Sequence, residues 1–570
     1  LADSIEILAA ITDNNIPIQP DGTTQQLNEF DRIFLQFKKR NWQLSLGDID
    51  IRQNQSYFLS FYKRLQGIAF ETTTPLSANS FNKTMVSGSI AKGKFTRNII
   101  EPREGNQGPY RLSGANNEFF FVVLANTERI YIDGELLQRG EDQDYVINYN
   151  TAEITFTPKR MITKDKRIQV EFEYSDRNYL NANLYVYNET DIGKKVKLRL
   201  SAFSNGDAKN SPINQTLDPA QKRFLDTLGD NINKAFYPYA SRDSFSTGKI
   251  LYQKIDTVYN NGLSRDSIYV FSINPDSANY HLSFIEVGQG FGNYVPDFNG
   301  ANGKAYKWVA PANGVKQGNF EPAVFLATPK KQQLVSLGVD YALTENMILT
   351  AEGAMSDYDV NTFSRKDKQN DKGFAGKMGL KNSLPLGDAA KGKKMIVNLG
   401  YEYVQAAFKP LERLRNIEFT RDWGLPLQTD PQNESIFTAG AQLLDAKNNS
   451  LQYQFSSYTR DDAFKGIRNR IDHRQDIKGW KWDNTFNLST FHSVTDKGYF
   501  LRPSAAVSRK FKRLDDHVLT LSYSVERNEV HNLVSDSVSP LSFAFNVFQV
   551  GVKSSEEKPN RWGITYFTRG

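Results

Sequence analysis

The fold is decided by a stretch in the middle of the chain, Val335-Ser336-Leu337-Gly338-Val339-Asp340-Tyr341-Ala342-Leu343, then Thr344-Glu345-Asn346, then Met347-Ile348-Leu349-Thr350-Ala351-Glu352-Gly353-Ala354-Met355. Before Thr344 the odd positions are apolar, and the even positions hold a serine, a glycine, an aspartate and an alanine. After the turn, the odd positions from Met347 to Met355 again form one face. Side chains alternate in direction along a strand, so the stretch predicts a β-hairpin with one apolar and one more polar face.

The same alternation recurs along most of the chain. Leu519, Leu521 and Tyr523, for example, alternate with Thr520 and Ser522. Segments of about ten residues with one apolar face are typical of transmembrane β-barrels. We therefore predict an all-β outer-membrane barrel of roughly 16–20 antiparallel strands. Besides the hairpin, its later strands are predicted at 280–288, 374–383, 394–405, 436–445, 450–459, 498–510, 517–527, 541–552 and 561–567.

Composition agrees with that class. The chain has 570 residues and no cysteine. Its mean hydropathy is −0.54, and no stretch approaches about 18 consecutive apolar residues, which excludes transmembrane helices. Strands that face lipid with every second residue are not excluded. The absence of cysteine excludes disulfides and thiolate chemistry. The formal charge of +6 on 134 charged groups, 70 basic and 64 acidic, is nearly balanced, so nucleic acid is not an expected partner.

Three parts of the chain differ in character. Residues 1–104 and 176–570 carry long strand patterns and are predicted to be barrel, with a loop at 15–22. Residues 105–175 carry short strands separated by Asp133-Gly134 and similar turns, which predicts an inserted immunoglobulin-like sandwich. Its strands are too short to span a bilayer, so we expect it to plug the barrel or hang below it. The chain begins at Leu1 within a predicted strand, and we expect the natural protein to extend beyond both ends.

Connections between the predicted strands alternate in length. Thr344-Glu345-Asn346 is tight, whereas 207–250, 289–330, 357–373, 406–434 and 460–478 are predicted to be long polar loops. Such an asymmetry is expected when one end of a barrel is periplasmic and the other extracellular. Within the first loop, 216–236 has apolar residues at helical spacing and is predicted to contain a helix.

Two sets of residues are candidates for function. Lys195, Lys197 and Arg199 alternate with apolar residues and are predicted to face the barrel lumen, because lipid-facing charge is costly. Arginines mixed with aromatics are typical of protein interfaces, and arginine also binds lipopolysaccharide phosphates. That mixture predicts partner or lipopolysaccharide contacts at Arg413, Arg415, Arg421, Trp423, Arg468, Arg470, Arg474, Trp480 and Trp482. The alternative is that these are ordinary rim charges and interfacial tryptophans.

No catalytic constellation is apparent. The five histidines are not at a metal-ligand spacing, and no serine elbow with a nearby base is present. Asp367 to Gly373 lacks the full calcium-loop pattern. We therefore expect no metal, no cofactor and no enzymatic activity.

A family resemblance narrows the class. The runs Gly108-Pro109-Tyr110-Arg111-Leu112, Ile130-Tyr131-Ile132-Asp133-Gly134 and Asp144-Tyr145-Val146-Ile147-Asn148-Tyr149 resemble a module of large outer-membrane proteins of Bacteroidota, among them the gliding-motility and type 9 secretion translocon barrels. The resemblance covers 65 residues or so and implies an export machine rather than an enzyme.

The favoured hypothesis is a non-enzymatic barrel subunit of an outer-membrane assembly or protein-export complex. The inserted module would plug the lumen or bind periplasmic factors, and the loops would bind other barrels, surface lipoproteins or lipopolysaccharide. A channel for anionic solutes is the second hypothesis, since basic side chains are predicted in the lumen. An outer-membrane enzyme is the third, and a soluble multi-sandwich protein is a rival fold.

Overall fold

The computed structural model describes most of the chain. It covers residues 6–12, 32–90, 93–115, 121–164, 166–175, 178–213, 215–259, 264–297, 304–387, 392–426, 430–447, 449–511, 516–540, 542–555 and 561–570. The loop predicted at 15–22 lies outside these ranges.

The chain opens with five strands of one large sheet. They are β1 Glu6–Thr12, β2 Arg32–Lys39, β3 Trp42–Gln53, β4 Phe61–Ser77 and β5 Ser80–Ile90.

An inserted module of two small sheets follows. Its strands are β6 Lys94–Ile100, β7 Tyr110–Arg111, β8 Val122–Val123, β9 Arg129–Ile132, β10 Glu135–Leu136, β11 Tyr145–Asn148, β12 Glu153–Phe156 and β13 Ile168–Ser175. One sheet contains β6, β8, β9, β10 and β13, and the other contains β7, β11 and β12. Because β6 pairs with β13 over its whole length, the module begins at Lys94 and not at the predicted 105.

Two strands return to the large sheet, and a second β domain follows them. The return strands are β14 Tyr179–Ile192 and β15 Val196–Pro212. The domain contains helix α1 Pro219–Thr227, a 3-10 turn at Ile232–Lys234, β16 Phe236–Pro238, β17 Ser241–Arg242, β18 Tyr252–Tyr259, β19 Ser264–Phe271, β20 Tyr280–His281, β21 Phe284–Glu286, β22 Tyr294–Asp297, β23 Ala305–Trp308 and β24 Phe320–Phe325.

This second domain corrects two predictions. Segments 207–250 and 289–330 are not plain loops, and 280–288 is not a strand of the large sheet, because its residues form β20 and β21 in the domain's own sheets. Strands of two to eight residues are too short to show a clear alternation. The helix predicted in 216–236 is present as α1, which begins with a capping box between Asp218 and Gln221.

The remaining strands complete the large sheet. They are β25 Lys331–Ala342, β26 Met347–Asp359, β27 Lys372–Pro385, β28 Lys394–Val404, β29 Glu434–Leu444, β30 Ser450–Arg460, β31 Phe464–Ile477, β32 Trp480–Ser493, β33 Asp496–Leu501, β34 Ser504–Phe511, β35 His517–Asn532, β36 Phe543–Lys553 and β37 Gly563–Arg569. Helix α2, Phe419–Trp423, lies in the connection between β28 and β29. Neither described helix is long and apolar enough to span a membrane.

In the described part of the chain the large sheet has twenty strands. Each is hydrogen-bonded and antiparallel to the next along the chain once the two insertions are set aside, except that β33 and β34 do not pair with each other. β33 and β34 lie end to end between β32 and β35. Their break at Arg502-Pro503 is expected, since proline cannot donate to the ladder. Within the described residues no pairing joins β1 to β37, the two edge strands.

The two faces of this sheet are inverted relative to a soluble protein. On β25, Val335, Leu337 and Tyr341 are exposed, Leu337 by 61%, whereas Ser336 is buried. We call the face of Leu337 the outer face and that of Ser336 the inner face. The predicted alternation of the hairpin is therefore present, with its apolar side exposed.

The two ends of the sheet also differ. At one end, the short-turn end, the longest connection is 554–562, nine residues. At the opposite end, the long-loop end, the connections include the module, the second domain and 405–433. The predicted loop at 460–478 is wrong, because most of it forms β31. Trp42, Trp480, Trp482 and Trp562 lie at the short-turn end.

Candidate functional site

The polar side of strand β13 faces the large sheet. Ile168, Val170, Phe172 and Tyr174 are fully buried in the core of the module, whereas Gln169, Glu171 and Glu173 are on the opposite side of the strand. These three polar residues are also buried. A strand with two carboxylates on its second face normally exposes that face to water, so its burial requires polar partners.

Each of the three has such a partner outside the module. Gln169 Nε2 donates to the carbonyl oxygen of Ile417 at 2.9 Å. The Glu171 carboxylate lies 3.0 Å from Arg413 Nε, and the Glu173 carboxylate lies 2.7 Å from Lys63 Nζ. Lys63 belongs to β4, while Arg413 and Ile417 belong to the 405–433 connection. The module is therefore fixed to the sheet through buried ion pairs.

The described part of that connection, 405–426, is called the strap. Its first half packs on the inner face of the sheet, where Phe408 and Leu411 join the buried cluster that contains Phe58. The backbone N–H of Lys409 donates to Ser356 Oγ at 2.9 Å. Glu412 accepts a hydrogen bond from the Tyr62 N–H at 2.9 Å.

Burial raises the pKa of the Glu412 carboxyl, and the hydrogen bond from Tyr62 and the charges of Lys63 and Arg129 offset only part of this effect. A carboxyl whose pKa is raised in the folded state stabilises that state most below its unfolded pKa. Its contribution is lost as the pH rises through the folded pKa. Glu412 thus favours a docked strap at acidic pH.

The second half of the strap lies among charged side chains of the inner face. Arg415 pairs with Glu402 of β28 and with Glu434 of β29, the latter at 2.9 Å. Arg421 Nε donates to Glu526 of β35 at 3.0 Å. The strap therefore joins strands that are widely separated in the sheet.

Helix α2 ends the strap in an aromatic cluster. Trp423 is buried with Tyr458, Phe464, Phe491 and Phe500, which belong to four strands of the large sheet. The carboxylate of the preceding residue, Asp422, forms ion pairs with Arg468 and Arg502, each at 2.9 Å.

Gly424 stops the helix with a φ of +68°, and a Cβ there would lie 2.5 Å from the Phe500 ring. A glycine is needed at this position both for the backbone and for the space.

A turn of the module touches the same part of the strap. The Asp133-Gly134 turn joins β9 to β10, and a Cβ on Gly134 would lie 2.7 Å from Glu418 Cγ. Arg167 pairs with Glu418 at 3.1 Å and with Asp133 at 3.3 Å. The turn that the sequence identifies as part of a recurrent module is thus a contact point with the strap.

A second connection also folds onto the inner face. The loop 54–60 is held by the Glu352 carboxylate, which accepts hydrogen bonds from the Tyr57 N–H at 2.9 Å and the Phe58 N–H at 3.0 Å. The hydroxyls of Ser56 and Ser336 donate to the same carboxylate.

We expect Glu352→Ala to release the 54–60 loop. The backbone N–H groups of Tyr57 and Phe58 would lose their acceptor, and leaving buried donors unsatisfied costs about 3 kcal/mol. Hydrogen exchange of those two amides should then accelerate by about a hundredfold. The control is Thr350→Ala, which lies two residues from Glu352 on the same face of β26 and has an exposed side chain. Equal acceleration in both variants would contradict the role of Glu352 in holding the 54–60 loop.

Exposure on the inner face rises from the long-loop end to the short-turn end. Along β31 the side chain of Arg468 is 15% exposed, that of Arg470 is 44% exposed and that of Arg474 is 72% exposed. The inner face is therefore covered near the strap and accessible to water near the short turns.

The predicted lumen residues fall into two groups. Lys197 and Arg199 lie on the inner face, opposite the exposed Leu198, whereas Lys195 lies in the turn before β15. Lys197 pairs with Glu189 at 2.8 Å, and Arg199 makes a bidentate pair with Asp340 at 2.6 and 2.7 Å.

The predicted partner-contact residues are placed differently from the expectation of exposed loops. Arg413, Arg415, Arg421 and Trp423 contact this chain's own module and strands, as described above. The remaining five are strand residues, because β31 and β32 replace the predicted loop. Arg468, Arg470 and Arg474 lie on the inner face, and Trp480 and Trp482 lie on the outer face at the short-turn end.

Sequence reasoning missed the acidic half of the site. Arginines of the strap form ion pairs with four glutamates, Glu171, Glu402, Glu434 and Glu526. For Glu171 and Glu402 the available signal was a carboxylate flanked by large apolar or aromatic residues of a strand. Across the described residues, no group of three histidine, aspartate or glutamate side chains is placed to hold a metal ion.

Comparisons with known proteins give one match to the module and a low-scoring structural match along the whole chain. A family model described as "Domain of unknown function (DUF8818)" matches residues 95–176, which coincide with the module. No curated protein matches the chain. Among solved structures, the translocation pore of the P pilus usher (PapC) is similar over 95% of this chain and 94% of that chain, with 9% sequence identity and a TM-score of 0.23. Neither the Bacteroidota resemblance nor the immunoglobulin-like assignment of the module gains support from these matches.

Proposed function

We propose that the large sheet closes into a transmembrane β-barrel of the outer membrane. The observation that carries this proposal is the inverted sheet, whose apolar side chains are exposed and whose polar side chains are buried. Strands of 11 to 17 residues dominate its middle part, from β14 to β32, and such lengths suffice to cross a bilayer at a tilt. The four tryptophans at the short-turn end fit an interfacial belt.

We further propose that the barrel is a gated, non-enzymatic pore of an export or assembly complex. Its inner face becomes the lumen, and the module, the strap and the 54–60 loop become its plug at the long-loop end. Since long loops of such barrels face the outside, the plug would close the extracellular mouth rather than bind periplasmic factors. The resemblance of the module to translocon barrels of Bacteroidota favours export, with other envelope proteins as partners.

A passive channel for anions is the weaker candidate. Lys197 and Arg199 are paired with carboxylates, and Arg470 and Arg474 are paired with Asp472 and Asp483. Paired cations present little free positive charge to a passing anion.

The membrane-spanning barrel is tested with single cysteines, which the cysteine-free chain allows without further changes. Leu337→Cys and Tyr523→Cys place a thiol on the outer face, and Ser522→Cys places one on the inner face. Reconstituted in vesicles, the two outer-face thiols should resist a water-soluble maleimide, and a fluorophore attached there should be quenched by brominated lipid. The thiol at 522 should react and escape quenching.

The neighbouring positions 522 and 523 form the matched pair of this test. They lie on one strand, at nearly the same depth, and differ only in the face that they occupy. Equal maleimide reactivity at the two positions would reject the barrel and favour a soluble β protein.

A further inference from the structure

Four basic side chains form one row across the outer face at the long-loop end. Lys465 of β31 lies opposite His492 of β32, His492 lies opposite Lys497 of β33, and Lys497 lies opposite His531 of β35. Neighbouring strands are about 4.8 Å apart, so the row spans roughly 15 Å. Four consecutive strands therefore present a basic residue at one height.

The alternation of each strand directs this row away from the lumen. The residues next to it in sequence, Phe464, Phe491 and Val530, are buried in the cluster around Trp423 on the inner face. Lys465, His492 and Lys497 are exposed, and His531 is partly exposed.

Few acidic groups compensate the row. In the described part of the chain, Lys465 and His492 make no ion pair. Lys497 Nζ lies 3.9 Å from Asp536, a side chain that is largely exposed. His531 lies 3.2 Å from Glu529, whose carboxylate also binds Arg527 at 2.8 Å.

The row lies at the border of the exposed apolar side chains of the outer face, on the side of the long-loop end. Toward the short-turn end, Ile467 lies two residues from Lys465 and Phe486 lies six residues from His492, and both are exposed on the outer face. Tyr499, two residues from Lys497, has the amphipathic side chain that suits the boundary between hydrocarbon and head groups.

We propose that this basic row binds the phosphate groups of lipids in the outer leaflet. The inference rests on the proposed transmembrane barrel, which places the long-loop end at the outer surface. Lysine binds phosphate as a point charge, and the imidazoles add hydrogen bonds to the phosphate oxygens. The site is distinct from the strap arginines, whose charges are used within the chain.

The test uses the full chain in detergent and bisphosphorylated lipid A as the probe, with binding followed by native mass spectrometry. Lys465→Ala combined with Lys497→Ala should weaken binding by about tenfold or more, because each lysine contributes separately to the attraction of an anionic lipid. The matched control combines Lys394→Ala with Lys447→Ala, which removes two exposed lysines at the short-turn end and should leave binding unchanged. Lipid A without its phosphates should bind the unaltered chain as weakly as the phosphorylated lipid binds the row variant.

Three results would overturn the lipid site: unchanged binding in the row variant, equal weakening in the control, or displacement of the lipid by an equal concentration of inorganic phosphate. The last result would assign the row to free phosphate. Equal maleimide reactivity at positions 522 and 523 would instead reject the barrel. The two experiments therefore distinguish failure of the lipid site from failure of the proposed barrel.

Discussion

Replacing residues 91–178 by a short glycine-serine linker is expected to turn a closed barrel into a conducting one. The variant removes the module, and with it the partners of Lys63, Arg413 and Glu418. The linker can be short because Ile90 of β5 already lies opposite Ala182 of β14. A barrel of this size leaves an aqueous lumen unless it is filled, so conductance in a planar bilayer should rise by about tenfold or more.

A milder variant separates the plug from the fold of the barrel. The double variant Glu171→Gln, Glu173→Gln keeps the shape of β13 but removes both charges that bind Arg413 and Lys63. Its conductance in a planar bilayer should show intermittent opening of the pore. Arg160→Ala is the control, because its partners Glu135 and Asp144 lie within the module. Low conductance in the deletion variant, with the barrel intact by the cysteine test, would show that the module is not the plug.

The alternation that defines the large sheet could be predicted because it is local. Leu337 and Ser336 differ in polarity, and a strand places neighbours on opposite faces whatever the rest of the chain does. The module could be recognised for a similar reason, since the Asp133-Gly134 turn has positive φ at both residues and selects for this residue pair.

The strap could not be predicted because its partners are far away in sequence. Arginines mixed with aromatics indicate an interface, but the residues do not say whether the other side is a second protein or the same chain. Arg413 finds Glu171 and Arg421 finds Glu526 only through the topology of the sheet. Composition therefore indicated an interface, and the structure shows that the described contacts of these arginines lie within this chain.

Strand β31 was missed for a different physical reason. Arg468, Arg470 and Asp472 on its inner face make the segment as polar as a loop. Such a strand is stable because Ile467 and Ile471 occupy the outer face and because the inner-face charges are paired, Arg468 with Asp422 of the strap and Arg470 with Asp472 along the strand. A search for charge at every second residue, rather than for apolar content, would have detected it.

Asp422→Ala is expected to release the second half of the strap. Asp422 accepts two ion pairs at 2.9 Å, from Arg468 and Arg502, whose side chains are 15% and 14% exposed. Removing one partner of a buried charge pair leaves the other charge unpaired, at a cost of about 3–5 kcal/mol. The strap contains Arg413, Arg415 and Arg421, so its release should be visible as new trypsin cleavage between residues 413 and 422.

Asp483→Ala is the matched control for this variant. Asp483 of β32 pairs with Arg474 of β31, the strand that also carries Arg468, but at the end where both side chains are largely exposed, 59% and 72%. Exposed pairs contribute about 0–1 kcal/mol, so trypsin cleavage of the strap should be unchanged. Resistance of the strap in Asp422→Ala, or cleavage in both variants, would show that burial of this pair does not hold the strap. Cleavage in Asp422→Ala alone, together with a rise in conductance, would show that the ion pairs of Asp422 hold the strap in place and keep the pore closed.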